Sequence, residues 1–144
     1  MQKLRLFSLF YISSSSLSLR FKYNSNLLLT SLAPHMNESE FNDIVDDLLV
    51  SIEDAVEAAC DETGVDIDYE TSGGILNLTF ADASKIIINR QTPLKQIWVA
   101  TRQGGFHFDY DKVSGKWLCQ GKDLLTALTE YCSDQAGQPV KLNF

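Results

Sequence analysis

Cysteine is scarce, and its three positions, Cys60, Cys119 and Cys132, include no C-x-x-C pair. An odd, scattered set gives neither a disulfide framework nor a zinc-type ligand cluster, and it fits a reduced intracellular protein. Catalytic signatures are missing as well: no G-x-S-x-G, H-E-x-x-H or P-loop occurs, and no nucleophile stands beside an evident base. Beyond residue 35 the sole histidine is His107, within FHFDY, which reads as a surface side chain rather than a general base. No apolar run approaches the roughly 20 residues that a spanning helix requires, so no membrane segment is expected. Catalysis and membrane insertion are both left without machinery.

Charge of one sign is missing from each of two regions. Residues 1–35 carry Lys3, Arg5, Arg20 and Lys22 and no acid, whereas the 13 acids from Glu38 to Glu70 occur without one Lys or Arg. The net charge of -7 therefore hides a leader of +4, and removing it leaves -11 for residues 36–144. So strong a negative field repels phosphate and argues against a nucleic-acid partner. It invites cations or a basic protein surface instead.

The first 35 residues are serine-rich, with Ser13 to Ser16 consecutive, and patchily apolar (LFSLFYI, NLLL). Three readings stand: translation beginning at Met36, an organellar transit segment, or a secretory signal, although arginine is sparse and no A-x-A-like site follows the apolar run. In each case the leader is set apart from residues 36–144, which have the length of one domain.

Within that domain, Asn37 followed by Glu40 forms a capping-box pattern. Phe41, Ile44, Val45, Leu48, Leu49, Ile52, Ala55, Val56 and Ala59 then recur at spacings of three and four, the pattern of a long amphipathic helix that Gly64 stops. The period next changes to two. Val65, Ile67 and Tyr69 alternate with Asp66, Asp68 and Glu70, and the turn Ser72-Gly73-Gly74 leads into ILNLTF, which predicts a hairpin. KIIIN, the Gln96–Ala100 stretch after Pro93, FHFDY and KWLC complete about six short strands with tight connections. A second helix follows, with Asp123 as cap and Leu124, Leu125, Leu128 and Tyr131 on one stripe. The fold class is α+β: a two-layer sandwich with an antiparallel sheet and both helices on one face.

That layering leaves the other sheet face wet. If the helices cover Ile86, Ile88, Ile97 and Val99, then Asn89, Gln91, Gln96 and Trp98 share the uncovered side. The tryptophan there either shields the sheet or anchors a protein partner.

The carboxylates carry the remaining signal. Glu53 and Glu57 lie four apart, Asp54 and Asp61 seven apart, and Asp43, Asp46 and Asp47 cluster earlier, with no cation in the run to pair with. Like-charge neighbours cost a helix roughly 0.2–0.5 kcal/mol each, so their accumulation points to use. Carboxylate oxygens suit hard cations such as Ca²⁺, Mg²⁺ and Mn²⁺, and Fe²⁺ held weakly at an open surface. An EF-hand is excluded, because Asp66-x-Asp68-x-Glu70 meets Thr71 at the sixth position, where glycine is required.

INRQTPLKQIWVATRQGGFHFDY, preceded by GGILNLTF and the acidic helix, closely resembles the frataxin family, in its bacterial CyaY branch, from about Met36 to Phe144. The resemblance implies the same helix-backed antiparallel sheet. It implies a non-enzymatic role in iron–sulfur cluster assembly, as a regulator of the desulfurase–scaffold complex or as an iron donor, with Fe²⁺ or Fe³⁺ bound weakly on an acidic ridge and other divalent cations as alternatives. The ridge would consist of Glu53, Asp54, Glu57, Asp61, Glu62, Asp66, Asp68 and Glu70, with Asp61 and Glu62 in a connection longer than in familiar bacterial members. Asn89, Gln91, Gln96 and Trp98 match the family's partner-binding surface. The implied partners are a cysteine desulfurase and the iron–sulfur scaffold protein. The resemblance also implies a cytoplasmic monomer that assembles further with iron, or a mitochondrial-matrix protein if the leader is a transit peptide. A storage protein with ferroxidase-type activity is the alternative.

Overall fold

The structure, a computed structural model, describes residues 35–144, and the readings of the leader fall on residues outside it. The described part opens with helix α1, Glu38–Thr63. Asn37 caps it, its side chain accepting from the Glu40 amide at 2.8 Å. The Glu40 side chain reaches Lys112 at 3.3 Å, so the cap is made by Asn37. At the other end Gly64, at φ 68°, takes the left-handed conformation and donates its N–H to the Cys60 carbonyl at 2.8 Å, which stops the helix.

Seven strands follow: β1 Ile67–Ser72, β2 Ile75–Phe80, β3 Lys85–Gln91, β4 Gln96–Thr101, β5 Gly104–Asp111, β6 Lys116–Cys119 and β7 Lys122–Asp123. They pair in sequence order, every neighbour antiparallel, as one meander. The strand beyond the expected six is β7. Gln120 and Gly121, at φ 50° and 81°, form a two-residue turn that folds the chain back so that Leu118 opposes Asp123. Two residues cannot display an alternation, which is why the sequence pattern passes over it. Pro93 lies in a 3-10 turn, Thr92–Leu94, between β3 and β4. Helix α2, Leu124–Ala136, is capped by Asp123, whose carboxylate accepts from the Thr126 amide at 3.3 Å.

Both helices cover one sheet face, as the alternation requires. Ile86, Ile88 and Ile97 are fully buried beneath them with Leu76, Leu78, Phe108 and Leu128, and Val99 lies among them. Each such side chain contributes about 1.5–3 kcal/mol when removed from water. Phe41 meets the edge of Trp117 at 5.9 Å, joining the start of α1 to β6.

Among the described residues, one polar side chain lies inside this apolar layer. Gln135 of α2 is buried, accepting from the Arg102 amide at 3.0 Å and donating to the Ser84 hydroxyl at 2.9 Å. It ties α2 to the β2–β3 and β4–β5 turns together. Burial also pushes the Cys132 thiol up to about 12, with Cys60 adding to the shift, which leaves Cys132 a protonated core residue. Gln135→Leu orphans both partners and should lower unfolding free energy by about 1–3 kcal/mol in urea titration; an unchanged midpoint would contradict the clamp. Iodoacetamide should leave Cys132 unmodified until the protein unfolds, as read by peptide mass spectrometry, and native-state labelling would contradict its burial.

Candidate functional site

The apolar stripe of α1 decides which acids face water. With Ile52, Ala55, Val56 and Ala59 turned inward, Asp54 and Glu57 project outward and Glu53 sits half-buried at the boundary. Beside them runs β1, the sheet edge, paired on one side only. Its alternation places Tyr69 and Thr71 on the helix side with Ile67, and Asp68 and Glu70 on the opposite face. The Thr71 hydroxyl donates to the Glu53 carboxylate. The Tyr69 phenol stands beside Glu57, and that carboxylate first, then reduced hydration, then Glu53 and Asp54 raise its pKa above the ordinary tyrosine value.

The eight expected ridge residues therefore do not form one cluster. Glu53, Asp54 and Glu57 gather around Tyr69. Asp61 and Glu62 belong to the last turn of α1 rather than to a connection, because the helix runs on to Thr63. Asp66 precedes β1 and lines a cleft with Asp82, Arg102 and Asp134. Asp68 and Glu70 face away from the helix. Among the described residues no three His, Cys, Asp or Glu side chains come together as a group able to hold a metal ion. The donor set fits a hard, hydrated cation touched by one or two carboxylates, not one enclosed by a cage.

Cations from β3 and from the β5–β6 turn correct the picture of an unpaired helix. Arg90 of β3 forms an ion pair with Asp46 and donates to the Asn42 side chain at 3.4 Å, while Lys112 reaches Glu40. Partners so distant in sequence are invisible to a reading of helical neighbours. The first half of α1 is thus partly neutralised. Among the described residues no Lys or Arg forms an ion pair with Glu53, Asp54, Glu57, Asp61, Glu62, Asp66, Asp68 or Glu70. Asp61 and Glu62 also lie at the negative end of the helix dipole, with no basic residue in the last turn. The uncompensated charge is concentrated on the second half of α1 and on β1.

On the open sheet face the register assembles the other predicted set. Asn89 lies opposite Trp98, and Gln91 opposite Gln96, so the four make a compact block across β3 and β4. The block extends onto β5, where His107 opposes Trp98 and Asp109 opposes Gln96. The indole stacks on the His107 ring at 4.3 Å and 13°. Its N–H donates to the Gln96 side-chain oxygen at 3.0 Å, and the Gln96 amide donates to Asp109 at 2.9 Å. Trp98 is half-buried by these contacts while its polar atom is already satisfied. A rigid aromatic plate with satisfied edges, beside the exposed Ile87, is suited to burial against another protein. His107 and Asp109 enter this set through strand pairing, which their matching alternation across a short turn foreshadows.

Comparison with known proteins decides what this pairing of surfaces belongs to. A family model described as the frataxin-like domain matches residues 34–138. The chain belongs to the frataxin family. It is 48% identical over 107 residues to the iron-sulfur cluster assembly protein CyaY of Vibrio cholerae serotype O1, covering 73% of this chain and 97% of that protein. Among solved structures, the frataxin of Psychromonas ingrahamii, studied as a model for the CyaY family, is 38% identical with a TM-score of 0.63, covering 76% of this chain and all of that one. Trimeric frataxin from Saccharomyces cerevisiae, complexed with ferrous, is 30% identical with a TM-score of 0.53, covering 79% of this chain and 98% of that one. The helix-backed antiparallel sheet is thus the frataxin fold, here with seven strands.

Proposed function

We propose that this frataxin-family chain works in iron–sulfur cluster assembly as an iron-binding regulator rather than as an enzyme. The observation that carries this reading is the uncompensated charge on the second half of α1 and β1 in a member of this family. Glu53, Asp54 and Glu57 take Fe²⁺ or Fe³⁺ weakly, through one or two carboxylates with water completing the shell, and other hard divalent cations compete. Asp61, Glu62, Asp66, Asp68 and Glu70 extend the negative field and raise the local cation concentration. The same surface docks on a basic patch of a cysteine desulfurase. Asn89, Gln91, Gln96 and Trp98 contact the scaffold protein or the enzyme's mobile catalytic region.

The Vibrio relative's name supports the assembly role, and the ferrous complex of the yeast relative supports iron as cargo. Residues 36–144 are the working unit, acting as a monomer that assembles further with iron, in keeping with the trimeric yeast relative. The protein works in the cytoplasm; among the described residues no helix is long and apolar enough to cross a membrane. Storage with ferroxidase chemistry has less support, since oxidation at paired metals needs carboxylates that face one another. A tryptophan held ready on the open face has no part in holding iron.

Two variants separate the surfaces. Reversing Glu53, Asp54 and Glu57 to lysine replaces three attractions with repulsions and should weaken desulfurase binding by at least about 100-fold in low-salt titration calorimetry. Unchanged affinity would place the docking surface elsewhere. Trp98→Ala should reduce the protein's effect on cluster formation several-fold, by about 1–2 kcal/mol of lost contact, with iron binding unaltered. Equal loss of both properties would make Trp98 a structural residue only.

A further inference from the structure

The free edge of β1 carries an inference beyond the general docking of a charged surface. Gly73 and Gly74, at φ 59° and 80°, form a two-residue turn that makes Ser72 and Ile75 the closing pair of the β1–β2 hairpin. The register runs without a bulge from that pair to Ile67 and Phe80. By alternation, Ser72, Glu70 and Asp68 spend their main-chain groups on β2, whereas Ile67, Tyr69 and Thr71 turn theirs outward. The outward carbonyl of Ile67 accepts from the Cys60 thiol at 3.6 Å, which closes that end of the edge. Among the described residues, no hydrogen bond reaches the outward main chain of Tyr69 or Thr71, and every β1 residue after Ile67 is exposed.

An open edge is a template for another strand, and proteins commonly guard it with charge. Here the guard has a single sign on both faces: Asp68 and Glu70 on one, Glu53 and Glu57 beside Tyr69 and Thr71 on the other. A second copy of β1 would set acids against acids, so self-pairing is opposed. An extended segment with Lys or Arg on alternate residues would bring its cations to one of these acidic faces while completing the ladder.

We propose that β1 is a strand-addition site for an extended, basic segment of a partner protein. The proposal rests on the reading that the acidic surface docks on a basic protein, and it specifies the mode: main-chain pairing at Tyr69 and Thr71, with the carboxylates selecting the sequence.

The test uses the full chain and an acetylated, amidated peptide of four Lys-Thr repeats, with a Glu-Thr peptide as control. The basic peptide should slow amide hydrogen exchange at Tyr69 and Thr71 by about tenfold or more, and the acidic one should not. Tyr69→Pro removes one outward donor while leaving the β2 pairing intact, and Tyr69→Ala removes the phenol alone. The proline variant should lose the protection at Thr71 and about tenfold in affinity for the peptide and for the desulfurase, and the alanine variant should keep both. Bound peptide with unprotected Tyr69 and Thr71 amides in the unmodified protein would overturn strand addition, as would equal affinities of the two variants; either result leaves docking by charge standing. Failure of the unmodified protein to bind the desulfurase at all would overturn the docking reading itself.

Discussion

Among the described residues, two helices cover one face of a seven-stranded sheet and leave the other open, and the two surfaces of this domain follow from that layering. Because successive strand residues point to opposite faces, burying Ile86, Ile88, Ile97 and Val99 commits Asn89, Gln91, Gln96 and Trp98 to water. The open face is therefore a consequence of how the core is made. What distinguishes it is its finish. Trp98 is stacked on His107 and its N–H is bonded to Gln96, so the large apolar group is held flat and polar-satisfied. Little side-chain entropy remains to be lost when a partner covers it.

The same layering sorts the charge. Strand β3 supplies Arg90 and the β5–β6 turn supplies Lys112 to the first half of α1, and Arg90 comes from the helix-facing side of the strand that also carries Asn89 and Gln91. Among the described residues no such partner reaches the second half of the helix or the β1 edge. A helix that bears acids at its own negative end without compensation is less stable than its sequence could make it. That arrangement is favourable when the missing positive charge comes from an iron ion or another protein. The two surfaces differ in chemistry, one electrostatic and salt-sensitive, the other a flat block of amide and aromatic groups.

Most of this architecture was legible in the sequence because it is periodic. The stripe from Phe41 to Ala59, the hairpin at Gly73-Gly74 and the alternation from Gln96 to Ala100 each fix an element and the face it buries. The four open-face residues could be grouped because a meander of short turns keeps parity from strand to strand. The features that escaped are those with no period. Strand β7 is two residues long, the Gln135 clamp joins positions 33 and 51 residues apart in sequence, and the Arg90–Asp46 pair spans 44. The spread of the acids over the fold escaped for a related reason. Counting acids along the chain merges Asp66 with Glu53, whereas the fold sends Asp66 to the cleft beside Arg102.

On the proposed function, both surfaces act on an assembling complex, with iron as a modulator. The most direct measurement is titration of this protein into a reconstituted mixture of cysteine desulfurase and scaffold protein, with and without Fe²⁺, following sulfide release and cluster formation together. Both rates should change saturably, with a concentration dependence that shifts when iron is added. Rates that stay constant across the titration in both conditions, while the protein still binds iron, would contradict it.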